Sequence, residues 1–99
     1  MKRTSSMVYT PSEDADDLVL FTVNEEYLYR QAQAIVKNLR QKYLRGEYDA
    51  DRAIDAFYSL TTGANSLYRH YFGQSFTVTE RFTAAQDLRD YFTEDICQG

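Results

Sequence analysis

The chain has 99 residues, enough for one domain whose core buries roughly two-thirds of the unfolded surface without metal or disulfide. Apolar residues make up 43% and charged residues 26%, which argues against wholesale disorder. The formal charge of −4 disfavours both a strongly basic nucleic-acid binder and a dense acidic mimic of DNA, since either needs a larger net field.

Nine Tyr and six Phe, with no Trp, are more aromatic residues than so small a core hides, so some tyrosines are expected at the surface, where interfaces favour them. The single cysteine, Cys97, cannot close an internal disulfide and suits a reducing compartment. The longest aliphatic-aromatic run, Leu18 to Phe21, is far too short for a membrane span. A soluble, cytoplasmic protein with no membrane partner is the expectation.

Residues 1–9 show no periodicity and read as a flexible arm before a single helical domain over 10–99. Thr10, Pro11, Ser12 and Glu13 then form a helix-start signature: an N-cap hydroxyl, a proline at the first helical position and a glutamate placed to close a capping box. Asp14, Asp16 and Asp17 suit the positive end of the helix dipole. Ala15, Leu18, Val19 and Thr22 share a face, which predicts a short helix over residues 11–21. The β-prone run Leu18 to Val23 offers a strand as the competing reading.

Thr22, Val23, Asn24 and Glu25 repeat the capping pattern and open the next predicted helix, residues 23–45, ended by Gly46. Its stripe is Leu28, Ala32, Ile35, Leu39 and Tyr43, with Val36 on the shoulder. After a very short link comes a helix over 50–72, capped by Asp49 and stopped by Gly73. Ala53, Phe57, Leu60, Ala64, Leu67 and Tyr71 recur in steps of four and three and form one face. Gly63, which costs about 1 kcal/mol against alanine inside a helix, marks a kink or a close helix crossing. The segment from Gln74 to Phe82 reads as a connection that tucks Phe76, Val78 and Phe82 into the core. Thr83 and Gln86 then cap a last helix over 83–96, with Ala85, Leu88, Phe92 and Ile96 on one side. The fold class is all-α: a three-helix antiparallel bundle with a short N-terminal helix, joined by short loops.

From Lys37 to Phe92 the chain carries a recognisable succession: Lys42 and Arg45 at a basic helix end, then Gly46-Glu47-Tyr48-Asp49, then Ala53, Phe57, Leu60 and Ala64. Tyr68-Arg69-His70-Tyr71-Phe72 and Phe82-Thr83-Ala84-Ala85 complete it. This pattern resembles small helical proteins of phages, plasmids and integrative elements that carry a G-x-Y-D link between two helices. The resemblance implies a mobile-element context, in which small solitary domains bind and alter a host protein. It brings no activity that transfers to particular residues.

The outer face of the helix over 23–45 holds Arg30, Gln33, Lys37, Arg40, Gln41 and Arg45, with no acid after Glu26. Such a face can lie on phosphates. The ordinary reading, a solvated face whose acids open the helix and whose bases close it, takes precedence. Bases alternate with aromatics around Tyr29, Tyr43 and Tyr68. Tyr29 and Tyr68 are the candidates for exposed rings that stack on bases or anchor a protein partner.

His70 has no companion at metal-ligand spacing and, with Arg69, suits the carbonyl end of its helix. Cys97 has no second cysteine and no basic neighbour in sequence to activate it. Asp49 and Asp51 are explained by a helix start, and Asp87 and Asp90 by the first turns after Thr83. The run Asp49 to Asp55 lacks the glycine and terminal glutamate of a calcium loop, and no phosphate-binding glycine loop occurs.

The expectation is therefore a non-enzymatic, cofactor-free module that binds a host protein and occludes its surface, as an inhibitor or adaptor, with an anti-defence role its sharpest form. The contacts expected are Tyr29, Arg30, Lys37, Arg40, Gln41, Arg45 and Tyr68. The alternative is a small nucleic-acid-binding or regulatory protein using the basic face. An apolar stripe longer than its neighbours cover would also suit a homodimer.

Overall fold

The computed structural model describes residues 11–98, and every regular element among them is a helix. In chain order these are α1 (Pro11–Asn24), α2 (Glu26–Leu44), α3 (Ala50–Phe72), α4 (Val78–Tyr91) and the short α5 (Thr93–Cys97). The segment 11–21 is helical, as its capping pattern suggests, and the strand alternative fails. The arm over 1–9 and the start signature at Thr10 lie outside the described residues.

The core is one cluster drawn from every helix. Ala15 and Leu18 come from α1, Leu28, Ala32 and Leu39 from α2, and Ala53, Ile54, Phe57, Leu60 and Ala64 from α3. Ala84, Ala85 and Leu88 of α4, Ile96 of α5, and Phe76 and Phe92 from the joints complete it. Phe57 is fully buried and stacks on Phe92, with ring centroids 5.9 Å apart and planes 4° from parallel. α3 is the central element, packed against α1, α2 and α4, while α5 closes onto α2.

α3 has the ends its sequence specifies. Asp49, in extended geometry, accepts the backbone N–H groups of Asp51 and Arg52, and Gly73 takes a left-handed φ of 72° at the other end. The link before it also follows local chemistry. Gly46, at φ 74°, donates to the Tyr43 carbonyl while Glu47 donates to Lys42, the paired bonds of a Schellman ending. The short link turns α3 back along α2, so that Tyr27 and Gln31 lie beside Leu67 and His70 at one end, and Lys42 beside Arg52 at the other.

Several readings of the sequence need correction. Thr22 is not a cap: its buried hydroxyl donates back to the Leu18 carbonyl at 2.7 Å, a bond compatible with a continuing helix. The N-cap of α2 is Glu25, whose carboxylate accepts the Leu28 N–H at 3.1 Å, so this helix spans 26–44 and not 23–45.

The predicted helix over 83–96 is two. α4 begins five residues before Thr83, at Val78, behind a complete capping box in which Thr77 Oγ1 accepts the Glu80 N–H and Glu80 accepts the Thr77 N–H at 2.7 Å. Val78 and Phe82 therefore sit on this helix and point outward, 62% and 46% exposed; only Phe76 is buried as expected. α4 ends at Tyr91 and α5 starts at Thr93, whose hydroxyl donates back to the Arg89 carbonyl at 2.7 Å.

Gly63 marks no close crossing. α3 runs unbroken through it, and no neighbour lies within 4 Å of where a Cβ would stand. Finally, the stripes of α2 and α3 run past their cover, leaving Tyr43 and Tyr71 exposed at their ends.

Candidate docking surface

The uncovered end of α3 meets the end of α1 in an aromatic cluster. Phe21 of α1 packs edge-on against Tyr68 of α3, with centroids 5.1 Å apart, and lies 6.1 Å from both Tyr71 and Phe72. Tyr68 in turn contacts Phe72 at 4.7 Å and Phe76 at 4.8 Å. The inner members are half-buried or buried, but Tyr71 and Phe72 remain 55% and 58% exposed. Arg69 and His70 are exposed in the same final turn of α3. The helix geometry explains the arrangement: positions 68, 71 and 72 fall on one face, and Phe21 near the end of α1 meets that face.

Two depressions adjoin this end. One, about 380 Å³, lies between α1 and the α3–α4 loop and is lined by Asp14, Asp17, Tyr68, the loop residues from Gln74 to Thr77, and Glu80. Asp14 and Glu80 are buried. The other, about 350 Å³, follows the α2–α3 seam and is lined by Tyr27, Leu28, Gln31, Gly63, Ser66, Leu67 and His70. Tyr27 stands 63% exposed at its rim.

The basic face of α2 is largely engaged within the chain. Arg30 pairs with Glu26 one turn back at 2.6 Å, and Arg45 with Glu47 at 3.2 Å. Among the described residues Arg40 pairs with no acid side chain; its guanidinium donates to the carbonyls of Asp95 and Ile96 at 3.5 and 3.4 Å and to that of Gln98. Gln33, Lys37 and Gln41 are exposed. The face is thus an array of tied side chains with Lys37 between them.

Of the two tyrosines expected at the surface, Tyr29 is exposed and lies 6.4 Å from Phe92. Tyr68 is half-buried inside the aromatic cluster, where Phe21 and Phe76 flank it. The exposed rings that sequence reasoning placed in the core or did not single out include Tyr27, Tyr43, Tyr71, Phe72, Phe82 and Tyr91.

Titratable groups offer little chemistry. Among the described residues no group of three or more His, Cys, Asp and Glu side chains is arranged to hold a metal ion. His70 is exposed, with Tyr71 beside it at 5.7 Å. Burial raises the Asp87 carboxyl above the ordinary value, reinforced by Asp16 across the α1–α4 seam and by Asp90. Asp87 and Asp90 lie in the second half of α4, not in its first turns, so the helix start does not explain them. Burial also raises the Tyr48 hydroxyl, with Cys97 nearby adding to the effect.

No described helix is long and apolar enough to cross a membrane. No protein-family model matches the chain, and comparison with curated proteins and with solved structures returns no match.

Proposed function

We propose that the chain is a non-enzymatic protein-docking module whose contact surface is the aromatic end formed by Phe21, Tyr68, Tyr71 and Phe72. The observation that carries this reading is the exposure of Tyr71 and Phe72 on a cluster whose inner rings are held in place by packing. Rigid aromatic rings supply large contact area at small entropic cost and dominate interface energetics. Arg69 and His70 beside them provide a polar rim.

The partner in this reading is a host protein, and the action is steric: occupying a surface the host needs. The mobile-element setting and the anti-defence version rest on the resemblance around the G-x-Y-D link. Nucleic acid is the second reading, favoured by Lys37 and Gln41 on the α2 face, but Arg30, Arg40 and Arg45 already have partners within the chain.

Binding measurements on two sets of variants separate the two readings. In the docking reading, Tyr71→Ser or Phe72→Ser lowers affinity for the captured partner by about 30-fold or more, with weak salt dependence, while Lys37→Ala leaves it unchanged. Steep loss of affinity with salt, and sensitivity to Lys37→Ala alone, contradicts it.

A further inference from the structure

We infer that the α2–α3 face pairs with the same face of a second copy of the chain, about a two-fold axis lying across the seam between the two helices. The seam holds two depressions of about 350 Å³, one towards each end. Tyr27, Gln31 and Leu67 line the first, and Asn38, Lys42, Arg52 and Ala56 line the second. Between them the surface is low and carries no charge: Ala34, Ser59 and Gly63 are exposed and Ile35 is half-buried.

The two ends are complementary to each other. One presents a ring, Tyr27, 63% exposed; the other is a depression with two cations, Lys42 and Arg52, in its wall. A two-fold axis midway along the seam turns α2 antiparallel to its copy and sets Tyr27 against Lys42 of the second chain. The same operation sets Gln31 against Asn38 and, on α3, Leu67 against Ala56. Each match is chemically sound: a cation on an aromatic face, amide with amide, a large aliphatic side chain over a small one. Two-fold symmetry makes every match twice. α2 also has Glu26 in its first turn and Lys42 in its last, so antiparallel copies bring each acidic start towards the other's basic end.

Gly63 gives a separate reason. Glycine weakens a helix interior, and nothing among the described residues calls for this one: it has no positive φ and no neighbour within 4 Å of where a Cβ would stand. In the pair it lies beside the axis, facing Ser59 of the second copy. Helix axes about 8–10 Å apart leave room there for a hydrogen or a methyl group but not for a long side chain. The face is also large enough. From Arg52 to His70, α3 runs roughly 27 Å, and two helix widths of about 10 Å each bury roughly 1,100 Å² over both copies, above the about 1,000 Å² that a specific interface needs. The pairing uses none of Phe21, Tyr68 or Phe72, so it does not rest on the docking reading, and its failure leaves that reading standing.

The test is sedimentation equilibrium of the full chain from micromolar to near-millimolar concentration, beside Gly63→Arg and Tyr27→Ala, with circular dichroism checking each fold. The pairing predicts a reversible monomer–dimer equilibrium for the parent. Gly63→Arg, whose side chain meets open space within its own protomer, stays monomeric throughout, and Tyr27→Ala weakens association about tenfold. A parent that stays monomeric, or a dimer that either folded variant keeps undiminished, overturns the proposal. The register is read by oxidising an equal mixture of Gln31→Cys and Asn38→Cys chains, each also carrying Cys97→Ser. Disulfides that join unlike chains in preference to like ones are expected; no such preference overturns the two-fold pairing.

Discussion

Asn65, two turns before the end of α3, accepts the Phe76 backbone N–H on its Oδ1 at 2.7 Å. The bond ties the α3–α4 loop to the helix it has just left, and Arg81 completes the tie by donating to the Phe76 carbonyl at 2.6 Å. Both the buried position of Phe76 and the wall it gives to the cleft depend on this pair of bonds. Asn65→Ala leaves the Phe76 N–H without its acceptor and is expected to cost about 1–3 kcal/mol. Asn65→Asp retains an acceptor oxygen and recovers most of that loss. Urea unfolding of the three proteins checks the order; equal stability of all three would show that water replaces the amide at no cost.

Gly63 gives the opposite sign. It lies inside α3 at a helical, solvent-exposed position with open space where a Cβ would stand. Gly63→Ala is expected to stabilise the fold by about 0.5–1 kcal/mol through helix propensity and a less flexible unfolded chain. Thermal unfolding should show a raised midpoint with an unchanged cluster around Phe57.

Asp87 carries a pH dependence. Its carboxyl is raised above 3.8 by burial, then by Asp16 and Asp90, so the folded state binds its proton more tightly than the unfolded state does. The folded state is therefore penalised once the carboxyl ionises. The penalty develops as pH rises from the ordinary value through the raised one, is complete above it, and is relieved on acidification. Asp87→Asn removes it: stability near neutrality rises, and the part of the stability that falls as pH climbs through that window is lost. Chemical denaturation across that window measures both effects.

Arg40 holds α5 through carbonyl groups and not through a charge pair. Arg40→Ala is expected to cost about 1 kcal/mol and to speed amide exchange across residues 93–98 while leaving α3 protected. Arg40→Lys should not restore protection, because an ammonium cannot span several carbonyls as a planar guanidinium does. Exchange read by mass spectrometry distinguishes this local loosening from global unfolding.

The parts of the fold legible in the sequence are those whose signals are local. α3 is specified by Asp49, Gly73 and its periodic stripe, and each signal acts within a turn of itself. The start of α4 is equally local, since Thr77 and Glu80 form a T-x-x-E box, yet the hydrophobicity of Val78 and Phe82 draws the eye to a buried connection instead. Thr22 misleads because the same hydroxyl that caps one helix can bond back inside another.

The candidate surface is legible only in part, for a different reason. Whether Tyr71 ends in the core or in solvent depends on how far α1 extends beside α3, and whether Arg40 is available depends on carbonyls more than fifty residues away. Tyr68 carries the same motif of ring beside base as Tyr29, but Phe21 and Phe76 enclose it. Only the packed chain separates these cases.

The docking claim is tested most directly by affinity capture of the tagged full chain from a nuclease-treated bacterial lysate, run beside a Tyr71→Ser, Phe72→Ser double variant and read by mass spectrometry. The account predicts a stoichiometric protein partner that survives nuclease treatment and is lost with the double variant, whose circular dichroism and thermal midpoint match the parent. A partner retained equally by the double variant, or one released entirely by nuclease, would contradict docking through the aromatic end.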